Sequence, residues 1–215
     1  MLLVIFWLAA IVCSAFLDRP VAQWVHEHSP YTAHRLLFTI LKLPGHAVFF
    51  TLPVAGLILV FHREHWRACA LVLLSAAVGG LFYTVVKWTA GRSRPFKGVA
   101  PFDPFALHPF ARGLRGLIHA EANLAFPSGH ATLAFATAAA LAHLLPRFRW
   151  AFYVIAGLAA VERVLEGAHY PSDVLAGAAL GVLSAHLVLA VSAGRRGGGG
   201  AGASGRGGGL KTIAL

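Results

Sequence analysis

Six apolar stretches, at about 1–17, 46–62, 68–88, 129–145, 149–165 and 171–192, make up most of this 215-residue chain. A helix that crosses a bilayer needs about 20 mainly apolar residues, with 17–25 the usual range. The shorter stretches reach that length by running into their polar flanks. A water-soluble fold would have to cover all six with polar surface. Only 12% of the residues are charged, against about a quarter in a typical soluble domain, so a buried all-α soluble core is disfavoured. The pattern predicts an all-α fold, an integral membrane six-helix bundle forming one domain over 1–193.

The first stretch lacks a basic leader, and Asp18-Arg19 follows it without a small-x-small cleavage site, so it reads as a retained helix rather than a signal peptide. Cys13 and Cys69 fall inside apolar stretches and read as small packing residues. In the long connection 18–45, Leu36, Leu37, Ile40 and Leu41 share one helical face. That face suits a helix lying in the membrane interface or one packed on the body of the protein. Beyond 193 the composition turns to Gly, Ala and Arg, which predicts a disordered tail over 194–215.

The net charge is +10. In an apolar chain such a surplus more often sets topology or meets anionic head groups than it binds nucleic acid, and no nucleic-acid partner is expected. Arg63, Arg67, Arg147 and Arg149 lie in two short turns on the same side as Arg195, Arg196, Arg206 and Lys211. The positive-inside tendency makes that side cytoplasmic. The connections 89–128 and 163–170 then face the opposite side. The chain carries no signal for oligomeric state.

Three clusters, each at the edge of an apolar stretch, meet on that opposite side: Lys87 with Arg92, Arg94 and Pro95; Pro127-Ser128-Gly129-His130; and Arg163 with His169 and Asp173. Guanidinium forks match phosphate oxygens bidentately, and a lysine adds a point charge. Ser128 is a good helix N-cap, and Gly129 lets helix N–H groups approach an anion. Asp173, four residues after His169, can fix the imidazole tautomer and leave the other ring nitrogen nucleophilic. His130 can serve as a second, acid–base histidine. Taken singly, each cluster has a plainer reading. His-x-x-x-Asp also suits a histidine capping a helix, Pro-Ser-Gly suits a simple loop-to-helix cap, and Arg92 suits either a phosphate ligand or a basic collar among lipid head groups.

Jointly the clusters read Lys87-WTAGRS-Arg94-Pro95, Pro127-Ser128-Gly129-His130 and Glu162-Arg163-VLEGA-His169-YPS-Asp173. This pattern resembles the three-part signature of the type 2 phosphatidic acid phosphatase (PAP2) superfamily, which also includes bacterial acid phosphatases and vanadium haloperoxidases. The resemblance covers about 87–173, and the layout is similar to the family's membrane lipid phosphatase branch. It implies that His169 is the nucleophile, Asp173 its orienting partner and His130 the general acid/base. Lys87, Arg94, Ser128, Gly129 and Arg163 would bind phosphate. One departure is Glu162, which stands where the family has serine. A carboxylate there would repel a phosphate unless it is turned away or paired with an arginine.

The implied activity is a metal-independent lipid phosphate phosphohydrolase without cofactor, in a bacterial inner membrane with its site on the periplasmic side. Phosphatidic acid, phosphatidylglycerol phosphate, polyprenyl diphosphate and lipid A phosphate all fit as substrates. The acidic residues are scattered, and the close pairs His26/His28 and His62/His65 lack further ligands nearby, so no metal site is expected. A catalytically silent lipid-phosphate binding or transport protein would need only the cations, so it leaves both histidines unexplained. A vanadate-dependent haloperoxidase is disfavoured by the membrane layout.

Overall fold

A computed structural model describes residues 8, 12–29, 31, 33–61, 65–95, 107, 110 and 124–198. Its described residues are helical apart from turns and two isolated bridges, Arg92–Leu107 and Ser93–Leu124. The helices are α1 (Asp18–His28), α2 (Arg35–Leu41), α3 (Leu52–Phe61), α4 (Trp66–Ala90), α5 (Gly129–Leu144), α6 (Arg149–Leu165) and α7 (Pro171–Gly198). A π-helical turn, Cys13–Leu17, leads directly into α1. The connection expected over 18–45 therefore begins as helix. A second π turn, Ala47–Thr51, leads into α3.

The expected apolar stretches from 46 onward coincide in place with helices and most of 1–17 lies outside the described residues, but the count of six crossings does not follow from them. Among the described residues, two helices are long and apolar enough to cross a membrane, Trp66–Ala90 and Pro171–Gly194. The others are shorter. α5 and α6 have 16 and 17 residues, which at 1.5 Å per residue span about 25 Å, less than the ~30 Å hydrocarbon layer. α7 runs to Gly198, past the boundary expected at 193. The rest of the tail, His62 and most of the 89–128 connection lie outside the described residues.

The helix α5 is the centre of the bundle, packed on α7, α6 and α4. Its sequence explains this position. Ala131, Ala134, Ala136, Ala138, Ala139 and Ala140 are buried, together with Thr132 and Thr137. Small side chains let helix backbones approach closely where lipid offers no hydrophobic drive to pack. α7 answers with glycines: a methyl group on Gly181 would lie 2.3 Å from the Thr132 carbonyl oxygen, and one on Gly177 2.5 Å from that of Ser128. Thr51 and Thr137 close the inner side with a buried hydroxyl pair at 3.0 Å.

The outside is the inverse of a water-soluble protein. On α6 the buried residues are Ala156, Ala159, Ala160, Glu162 and Arg163, whereas Val154, Ile155, Leu158 and Val161 are exposed. Leu57 and Val60 of α3, Leu74, Leu81 and Val85 of α4, and Leu187 and Val191 of α7 continue that apolar surface. Water would penalise this arrangement; lipid solvates it. On α2, Leu36, Leu37 and Ile40 are exposed and Phe38 is buried, so the apolar face expected there looks outward.

Candidate active site

Each cluster stands where a helix starts or stops. α4 ends because Gly91 takes a left-handed conformation (φ 63°) and its N–H caps the Lys87 carbonyl at 3.0 Å. The chain then doubles back, and the Arg92 carbonyl accepts from the Ala125 N–H at 2.7 Å. Arg94 Nε donates to the Leu124 carbonyl at 3.2 Å. The first cluster is thereby tied to the residues just before Pro127. Lys87, though charged, is 2% exposed, with its ammonium 5.3 Å from the Tyr83 ring centroid.

Ser128 caps α5 as its spacing predicts, accepting from the Ala131 N–H at 3.4 Å. Its own N–H donates to the Asp173 carbonyl at 2.9 Å, which joins the start of α5 to the start of α7. Gly129 packs closely on Tyr83, since a Cβ would lie 3.1 Å from that ring. His130 follows and meets a residue that sequence reasoning missed. Its Nε2 lies 3.3 Å from Nε2 of His46, with the rings nearly perpendicular. His46 follows the 3₁₀ turn Leu43–Gly45 and belongs to no recognisable spacing pattern, so nothing in the sequence marked it.

The third cluster spans the turn from α6 to α7. Gly167, with φ 74°, breaks α6, and the Ala168 and His169 N–H groups return to the Arg163 carbonyl. Pro171 opens α7, and Asp173 reaches back to the Tyr170 N–H at 2.8 Å, an acidic cap at a helix N-terminus. His169 is 3% exposed, and its Nδ1 faces Asp173 Oδ2 at 3.7 Å. That is ion-pair range and not the hydrogen bond expected from the sequence. The reason is competition. Asp173 Oδ2 already takes the Tyr170 N–H, and Oδ1 takes Nη1 of Arg92 at 2.5 Å. His169 Nδ1 has no hydrogen-bond partner among the described residues. Such bonds are often long in ligand-free sites and tighten around the substrate.

Burial pushes the His169 imidazole down from its ordinary 6.5 to about 4; Asp173 opposes this, while Lys87 and Arg94 push the same way. The ring is therefore neutral, with a lone pair available, throughout the neutral range. Around His130 the charges of Arg163 and Lys87 and the rings of His46 and His169 are all felt electrostatically. The structure thus brings Lys87, Arg94, Ser128, Gly129, His130, Arg163, His169 and Asp173 to one end of the bundle.

Two residues depart from expectation. Arg92 is not an exposed collar: it is 3% exposed and ion-paired to Asp173 and Asp18. Burial lowers its affinity for a proton, but the two carboxylates outweigh that and raise it. Arg163 is buried between carboxylates: its Nε lies 2.9 Å from Glu162 Oε2, and its Nη2 contacts the Glu166 carboxylate. The Glu162 carboxylate is fully covered and paired with an arginine, one of the two arrangements that relieve its repulsion of a phosphate. Among the described residues no group of three or more His, Cys, Asp or Glu side chains converges as a metal site.

An all-α bundle with an apolar exterior and a cluster of two histidines and several cations at one end defines a membrane protein with a polar, cationic site. The sequence profile of the PAP2 superfamily matches residues 68–196, and the chain belongs to that superfamily. It is 38% identical over 128 residues to the lipid A 1-phosphatase of Rhizobium johnstonii, a match covering 58% of this chain and 48% of that protein. It is 31% identical over 131 residues to the undecaprenyl-diphosphatase of Sulfolobus acidocaldarius, covering 60% and 57%. The chain spans about half the length of the curated relatives it matches. Its fold is similar to the crystal structure of a transmembrane PAP2 type phosphatidylglycerolphosphate phosphatase from Bacillus subtilis, with a TM-score of 0.62, 23% identity and coverage of 89% and 96%.

Proposed function

We propose that this protein is an integral membrane phosphohydrolase that removes a phosphate from a lipid phosphate through a phosphohistidine. One observation carries the reading: the buried His169, the half-buried His130, Asp173 and the cations Lys87 and Arg94 gather where α4, α5, α6 and α7 end or begin. Binding an anion would need the cations alone. The pair of histidines adds the means to transfer it.

In this mechanism Lys87 and Arg94, with the N–H groups at the start of α5, hold the phosphate oxygens. The His169 Nε2 lone pair attacks phosphorus as the bond to the lipid oxygen breaks. His130 donates its proton to that oxygen. Asp173 holds the Nδ1 proton and stabilises the positive charge on the phosphorylated ring. A water then attacks phosphorus, His130 takes its proton, and inorganic phosphate leaves with His169 restored. Charge spread over the equatorial oxygens strengthens the cation contacts in the transition state. The lipid chains remain in the bilayer beside the apolar helices. Phosphatidic acid, phosphatidylglycerol phosphate, polyprenyl diphosphate and lipid A phosphate are the candidate substrate classes, and the basic turns support a site on the periplasmic face of a bacterial inner membrane.

The test is release of inorganic phosphate from a panel of these lipids by the detergent-solubilised protein. At least one lipid is expected to be turned over, at a rate unchanged by chelator; silence on the whole panel rejects the reading, and strong inhibition by chelator rejects its metal-free form. Glu162→Ser is expected to lower KM by up to about tenfold, about the worth of one charge-assisted hydrogen bond, by releasing Arg163 from one of its two carboxylates. A KM that rises would mean Glu162 instead positions Arg163.

A further inference from the structure

Behind His169 lies a buried network that the proposed phosphate chemistry leaves unused. Arg92 Nη2 donates to Asp18 Oδ2 at 2.6 Å, while its Nη1 reaches both Asp173 Oδ1 and Ser172 Oγ, the latter at 2.7 Å. Asp18 also accepts the Ser172 N–H at 3.0 Å and its hydroxyl at 2.5 Å. The Tyr170 ring covers the guanidinium at 4.2 Å. Asp18 and Asp173 are both 0% exposed. Breaking a buried ion pair by removing one partner is costly, because it leaves a charge in low dielectric. This network therefore fixes positions firmly.

We propose that Asp18 and Arg92 are positioning residues for the nucleophile: Arg92, clamped between two buried carboxylates, holds Asp173 behind His169, and Asp18 makes the first helix part of the site. The inference rests on His169 being the nucleophile. Its logic is orientation plus charge. Arg92 takes one Asp173 oxygen, and the other, which also accepts the Tyr170 N–H, faces Nδ1 of His169 at 3.7 Å. Two carboxylates and one guanidinium leave a net charge of −1 beside the ring, which suits a ring that turns cationic when phosphorylated. The network also divides the labour of Arg92-Ser93-Arg94, with Arg92 directed inward to the carboxylates and Arg94 tied to the Leu124 carbonyl beside the proposed phosphate site. The other charged or titratable groups around His169 are Lys87 at the end of α4, Arg94, His130 on α5 and Arg163 on α6, all cationic or neutral. Arg163 is matched by Glu162 and Glu166, and Asp173 and Asp18 are the anions that oppose the rest.

The charge argument makes opposite predictions for two conservative variants. Arg92→Gln removes a cation and moves the acidic limb of the kcat/KM profile to higher pH. Asp18→Asn removes an anion and moves it to lower pH. Both lower kcat by about tenfold to a hundredfold, the range for losing an outer partner of a site group, with KM nearly constant because neither residue touches phosphate. Arg92→Lys keeps the charge and restores the limb but not the full kcat. Limbs that stay still or move the same way, or an unchanged kcat, overturn the proposal. If Arg92→Gln does not fold, the limb of Asp18→Asn decides alone. If the wild type turns over no lipid phosphate, the catalytic reading has failed separately. Titration of the His169 ring by ¹⁵N NMR in the same variants then decides whether the network sets its charge, with opposite shifts supporting it and equal ones rejecting it.

Discussion

His169→Ala lowers phosphate release by about 10⁴-fold or more, the scale seen when an enzyme loses its covalent nucleophile, while lipid phosphate still binds. The separation follows from the geometry. Lys87, Arg94 and the α5 N-terminus belong to other segments, so removing the imidazole leaves the anion site standing. The measurement is single-turnover phosphate release together with trapping of acid-labile, base-stable phosphoenzyme, which the variant should not form. Retained release on every substrate would reject the nucleophile assignment. The pH profile of the wild type adds a check. A free histidine loses its lone pair near 6.5, but burial holds His169 neutral down to about 4, so turnover should persist well below pH 6. Stability has the same sign: the unfolded chain protonates this ring below about 6.5 and the folded one does not, so its contribution is present above 6.5 and lost as pH falls towards 4.

The largest effect on stability is expected at Gly181. A Cβ there would lie 2.3 Å from the Thr132 carbonyl oxygen, 2.8 Å from the Ala136 nitrogen and 3.1 Å from the Phe135 Cβ. Two of these atoms are α5 backbone and cannot rotate away, so α5 and α7 must move apart. Overpacking of this kind costs about 1–3 kcal/mol, and sometimes more. Gly181→Val should therefore lower the thermal midpoint in detergent by several degrees and abolish turnover. Turnover is lost because α5 carries His130 and α7 carries Asp173, whose carbonyl is bonded to the Ser128 N–H. Gly80, on α4, has no atom within 4 Å of where its Cβ would stand, and Gly80→Ala should be neutral or stabilising by up to about 1 kcal/mol. Equal effects at the two glycines would contradict the close-packing account.

What the sequence by itself determined was everything that depends on local composition and spacing. Sparse charge and repeated apolar stretches announced helices in lipid, because a solvent preference is summed over neighbours in the chain. The turn chemistry was equally local: Ser128 caps α5, Pro171 opens α7, and Asp173 lies one turn from His169. The three motif clusters were legible for the same reason. The tertiary structure alone decided how far the helices extend and which charges meet. Asp18 follows an apolar stretch with no spacing that marks it, because its partners are 74 and 154 residues away. Arg92 suited two surface roles and took a buried one, since a guanidinium that finds two carboxylates in low dielectric is held far more strongly than one in water. His46 became a neighbour of His130 only because the Leu43–Gly45 turn packs on α5. A charge pair between distant segments leaves no periodicity in the chain, and packing is what selects it.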